Sequence, residues 1–156
     1  MKSQQRIPLC NFELHGHADE RHNYSRGFMP QASQERAAQP KPIVLFLDDN
    51  LCMLALYEAY FQGNGYSVLT SSEGANAIRL AETHPVAVAV VDYDMPEMNG
   101  HEAALALKRV RPALPVIMVS GSNNIPPETL QAVDFFVPKC AGQSHLGQII
   151  DTLVRS

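Results

Sequence analysis

An α/β fold, a doubly wound five-stranded parallel sheet in a three-layer sandwich, is what this sequence predicts, on three observations. From Ile43 onward, short apolar runs alternate with longer segments of helical period, the order of βα units in an open parallel sheet. Five such units fit into about 115 residues, the size of one compact domain. In the last segment Leu146, Ile149, Ile150, Leu153 and Val154 recur at spacings of three and four, forming an apolar face suited to covering a sheet.

The predicted strands are Ile43 to Leu47, Tyr66 to Thr70, Val86 to Val91, Pro115 to Val119 and Asp134 to Pro138. Between and after them, helices are predicted at Leu51 to Gln62, Ser72 to Glu82, His101 to Arg109, a short one near Pro127 to Ala132, and Ser144 to Val154. Gly63, Asn64 and Gly65 supply a stop for the first helix. Ser72 followed by Glu73 reads as an N-cap with an acid in the first turn of the second. Gly121-Ser-Asn-Asn-Ile-Pro-Pro127 leaves little room for a fourth helix.

Composition bounds the function. The 156 residues are 46% hydrophobic and 18% charged, with a formal charge of -4. A wholly disordered chain would be poorer in apolar residues, and a nucleic-acid binder relying on phosphate neutralisation is usually basic. No apolar run approaches the roughly 18 residues of a membrane span, and no secretory apolar region follows Lys2 and Arg6. The expectation is therefore a cytoplasmic protein without nucleic acid or membrane partners. Cys10, Cys52 and Cys140 show no paired spacing, so reduced thiols are expected, with Cys52 as a small core residue.

The composition breaks near Gln39-Pro40-Lys41-Pro42. Residues 1–40 contain no valine and carry five basic and four acidic side chains, whereas 41–156 carry seven and twelve. The expected organisation is a flexible extension over 1–40 and a folded domain over 41–156. His15, His17 and His22 are isolated histidines in the extension and are not read as a metal site. Met29 is an alternative translation start.

Acidic residues fall where strands should end. Asp48 and Asp49 follow the first run, and Asp92, with Asp94 two positions on, follows the third. In an open α/β sheet the carboxyl ends of the strands form the ligand crevice. Two carboxylates about 4 Å apart repel by roughly 4 kcal/mol at an effective dielectric of 20, so a cation is expected among them. A few carboxylate oxygens with room for water suit Mg²⁺. Ser120 after the fourth strand and Lys139 after the fifth add a hydroxyl and an ammonium. A metal, a lysine, a hydroxyl and a nucleophilic aspartate are the parts that phosphoryl transfer onto an aspartate requires. Each residue alone caps a helix or faces water in most proteins; their joint occurrence in this order is the signal.

Residues 43–154 resemble the receiver domain of two-component response regulators. Asp48-Asp49, the run Asp92-Tyr-Asp-Met-Pro-Glu-Met-Asn-Gly100, Ser120-Gly121 and Lys139 match that family's motifs in order and approximate spacing. The resemblance implies a flavodoxin-like sheet of order 2-1-3-4-5. It implies that Asp92 accepts a phosphoryl group from a histidine kinase or histidine phosphotransfer protein. Asp49, Asp92 and the backbone carbonyl of Asp94 would then bind Mg²⁺, with Asp48 assisting from behind. Ser120 would hydrogen-bond the phosphoryl group, Lys139 would pair with it, and Ser120 and Phe136 would form the switch. Pro96 would fix a turn, Gly100 would take an unusual backbone angle, and Met95 and Met98 would pack.

Three positions depart from the family pattern. Cys140 stands where a proline, commonly joined by a cis bond, follows the lysine, so a trans bond and a reshaped loop are expected; its thiol is read as inert. Phe136 has no hydroxyl to exchange with Ser120. Asp94 adds negative charge beside the phosphoryl site. Two other functions share parts of this pattern. A haloacid-dehalogenase-type phosphohydrolase also uses Asp-x-Asp, but its motif follows the first strand and its acidic pair comes last, the reverse of the order here. An adaptor that is never phosphorylated is disfavoured by the presence of all five principal residue types. Only Arg155 and Ser156 follow the last predicted helix, so the expectation is a stand-alone receiver that signals through an unknown downstream protein.

Overall fold

The computed structural model describes residues 40–122 and 124–156. The expected extension over 1–40, with its histidines, Cys10 and Met29, lies outside the described residues except for the exposed Pro40. Within them the order is β1 (Ile43–Leu47), α1 (Leu51–Gly63), β2 (Ser67–Ser71), α2 (Gly74–Thr83), β3 (Val86–Asp92), α3 (Gly100–Val110), β4 (Val116–Ser120), α4 (Pro127–Gln131), β5 (Phe135–Pro138), a 3-10 turn (Lys139–Ala141) and α5 (Gly142–Arg155). The strands form one parallel sheet in the order β2-β1-β3-β4-β5, as the resemblance implied.

The central strands are continuous apolar runs because both of their faces are covered. On one face Leu45, Leu47, Ala89, Val91, Val116 and Met118 pack with Ala77 and Ala81 of α2 and Ala103, Ala104 and Leu107 of α3. On the other, Val44, Phe46, Val88, Val90, Ile117 and Val119 pack with Leu54, Tyr57 and Phe61 of α1 and Leu146 and Ile150 of α5. Phe46 stacks on Tyr57 with ring centroids 4.7 Å apart. A register shift between Ile43 and Val44 against β3 puts Val86 on the first face although Val88 lies on the second. From Val44 onward the register is regular, which brings the carboxyl ends of β1 and β3 level.

Helix α1 starts at Leu51 as expected, whereas α2 starts two residues later than expected. Asn50 caps α1, its side chain accepting the N–H groups of Cys52 at 3.0 Å and Met53 at 3.3 Å. Ser72 is not the cap of α2, which begins after Glu73 with no side-chain cap. The preceding Ser71, buried and paired with Leu47, takes over the turn. Its hydroxyl accepts the Glu73 N–H at 3.2 Å and the Asn76 amide at 3.1 Å, and donates to the Glu73 carbonyl at 2.8 Å. Cys52 is exposed rather than in the core. Helix α1 buries the row Leu54, Tyr57 and Phe61, and Cys52 lies off that row, as do the exposed Leu51 and Leu56.

Candidate functional site

The ends of β1, β3, β4 and β5 bring the expected residues to one rim. Asp48 and Asp92 are almost wholly buried, at 1% and 2% exposure, whereas Asp49 beside them is exposed. Carboxylate oxygens of Asp48, Asp49 and Asp92 all lie within 4.8 Å of one another. The Lys139 ammonium donates to Asp48 Oδ2 at 3.0 Å and lies 2.9 Å from Asp92 Oδ2. It reaches them because β5 ends at Pro138, level with Ser120 of β4. The other oxygen of Asp48 accepts the Asn50 N–H at 2.8 Å, and that of Asp92 accepts the Asp94 N–H at 3.3 Å.

Burial pushes the Asp92 carboxyl above its ordinary pKa; the Lys139 hydrogen bond opposes the shift and the Asp48 charge adds to it. Lys139 is also raised: burial works against its charge, but the two carboxylates outweigh it. The field of the cluster reaches the phenol of Tyr57, which burial first and Asp48 second push up to about 12, with Lys139 acting the other way.

These donors fit a hard divalent cation. Three carboxylates converge, two of them paired with one ammonium, and Asp49 also borders a cavity of about 460 Å³ shared with Glu73, Met95 and Met98, which leaves room for the water ligands that Mg²⁺ retains. Ser120, wholly buried, completes the rim. Its hydroxyl accepts the Ser122 N–H at 2.9 Å and donates to Asp94 Oδ2 at 2.9 Å. The contact with the Asp94 side chain is not legible in the sequence, which offers Asp94 as a backbone carbonyl for Mg²⁺ and as added charge. Phe136 is half-buried and packs against the α2/α3 face, as do Met95 and Met98.

Gly100 has a different role from the one expected. The positive φ angles among the described glycines are at Gly65 and Gly142, and Gly100 is needed for close approach instead. A Cβ there would overlap the Asp92 carbonyl oxygen and come within 2.7 Å of Tyr93 Cα. The obstacle is backbone, so Gly100→Ala is expected to destabilise the domain by about 2 kcal/mol. Urea unfolding checks this: an unchanged midpoint would mean that α3 shifts freely away from β3.

The sequence model for the response regulator receiver domain matches residues 44–151. The chain belongs to that family. Receiver domains are modules of two-component systems and interact with histidine kinases and downstream effectors. This receiver domain is 32% identical over 111 residues to the transcriptional regulatory protein GlrR of Escherichia coli, a match covering 69% of this chain and 25% of GlrR. The chain thus spans about a quarter of that relative's length. The response regulator protein TrrA of Thermotoga maritima, in complex with Mg(2+)-BeF, superposes with a TM-score of 0.68 at 20% identity, covering 72% of this chain and 98% of that one. The receiver domain of the Francisella response regulator 1452 gives 0.67 at 25% identity, over 74% and 98%.

The departures noted for this receiver domain have structural counterparts. No cis peptide bond occurs among the described residues. After Lys139 the chain enters the 3-10 turn at once, with Cys140 exposed, and α5 starts at Gly142, two residues before the predicted start. Helix α4 has five residues, as short as expected. No described helix is long and apolar enough to cross a membrane.

Proposed function

We propose that this receiver domain accepts a phosphoryl group on Asp92 from a histidine kinase or histidine phosphotransfer protein and signals through a phosphorylation-dependent protein interaction. The observation that carries the reading is one ammonium shared by two buried carboxylates beside an exposed third. In the transfer a carboxylate oxygen of Asp92 attacks phosphorus, the P–N bond to the donor imidazole breaks, and that nitrogen keeps the bonding pair. Lys139 then pairs with a phosphoryl oxygen and Ser120 donates a hydrogen bond to another. Asp49, Asp92 and the Asp94 carbonyl would hold Mg²⁺, with Asp48 behind them; when bound, the ion neutralises phosphoryl charge. Phe136, packed on the α2/α3 face, is the aromatic partner of Ser120 in the switch.

The fold being that of a receiver, the test is whether the rim carries a phosphoryl group. Wild-type protein with Mg²⁺ and acetyl phosphate is expected to gain one phosphoryl group per chain by intact mass. No modification would favour the fixed-contact adaptor. Repeated turnover of a generic phosphomonoester would favour the hydrolase.

A further inference from the structure

Ser120 has one hydroxyl hydrogen, and in this structure it is committed. The hydroxyl accepts the Ser122 N–H and donates to Asp94 Oδ2, both at 2.9 Å. An exposed carboxylate thus holds the donor that a phosphoryl group on Asp92 would need, and a hydroxyl cannot donate one hydrogen fully to two anions. Asp94 also lies two residues after Asp92, to which its own N–H donates, so latch and acceptor share one turn of backbone.

We infer that Asp94 is a positioning residue that latches Ser120 in the resting state and must release it before Ser120 can bind a phosphoryl group. The inference rests on the phosphoacceptor reading of Asp92. Both states satisfy the Ser120 hydroxyl, so the latch sets a balance between them. Because the bond runs to a charged acceptor it is stronger than a neutral one, and because Asp94 is exposed its carboxylate re-enters water on release at little cost. A phosphoryl group, with more charge than the carboxylate, wins the hydrogen and repels Asp94 outward. The latch therefore lowers affinity for the phosphorylated arrangement in proportion to its own strength.

Titration with beryllium fluoride at fixed Mg²⁺, followed through the Ser122 amide resonance, tests this as a double-mutant cycle. Asp94→Ala is expected to tighten the apparent affinity about tenfold, from the worth of a charge-assisted hydrogen bond. In a Ser120→Ala background the same change should tighten it threefold or less, the part due to charge alone. Asp94→Asn keeps an acceptor for Ser120 without the charge and should stay within threefold of wild type, an arm that leaves Ser120 untouched. Equal effects of Asp94→Ala in both backgrounds, or an Asp94→Asn affinity equal to that of Asp94→Ala, would overturn the latch. A wild type that does not respond to beryllium fluoride, while Asp92→Asn behaves identically, would overturn the phosphoacceptor reading and the latch with it.

Discussion

Asp92→Asn is expected to abolish phosphoryl incorporation from acetyl phosphate and, in the absence of Mg²⁺, to unfold at a temperature equal to or above that of the wild type. The first effect follows from the nucleophile: an amide oxygen cannot form the acyl phosphate. The second follows from linkage. Burial and the Asp48 charge leave the folded pKa of Asp92 raised despite Lys139. A carboxyl with a raised folded pKa contributes stability below its unfolded pKa, about 3.9, and loses it as pH rises through the folded value. At neutral pH the wild type therefore bears a penalty that the uncharged amide does not. The variant should gain on the wild type as pH rises across that interval, and Mg²⁺ should stabilise it less, since one of three carboxylates is gone. Thermal melts from pH 4 to 8, with and without Mg²⁺, check all three statements; a large loss of stability at neutral pH would contradict the assigned balance of burial against ion pairing.

Lys139→Met is expected to have the opposite sign. The methionine retains the unbranched stem, so the change removes chiefly the ammonium that Asp48 and Asp92 share. Breaking a buried pair by deleting one partner costs about 3 to 5 kcal/mol. Here both acids are almost wholly buried but the lysine side chain is one quarter exposed, so about 3 kcal/mol is expected in metal-free buffer near pH 7. The loss should shrink as pH falls and the raised Asp92 carboxyl protonates. It should also shrink on adding Mg²⁺, because a second cation replaces the first. Urea midpoints in EDTA and in excess Mg²⁺ measure both. The same midpoint shift in either buffer would mean that the site does not couple lysine and metal.

The strands were legible because β1, β3 and β4 are buried on both sides and so are uninterrupted in apolar residues. Their ends were legible because an acid, hydroxyl or amine directly after such a run marks the rim of the sheet. Helix starts were less legible. Ser72 has the chemistry of a cap, but Ser71, held by its pairing with Leu47, reaches the turn first. Cys52 was placed in the core because α1 is apolar nearly all round and its buried side cannot be chosen from composition. Gly100 was recognised as required, although the requirement is contact with the Asp92 carbonyl rather than an angle. The Asp94 to Ser120 bond joins the loop after β3 to the end of β4, 26 positions on, and nothing in local sequence reports such a meeting.

The ammonium that balances the rim comes from the turn directly after the last strand of the sheet. The Lys139 bond to Asp48 spans 91 positions, so it contributes among the longest loop closures in the domain. The charge balance of the two central strands is therefore held from the edge of the sheet: Asp48 after β1 and Asp92 at the end of β3 share their one ammonium only when β5 is docked on β4.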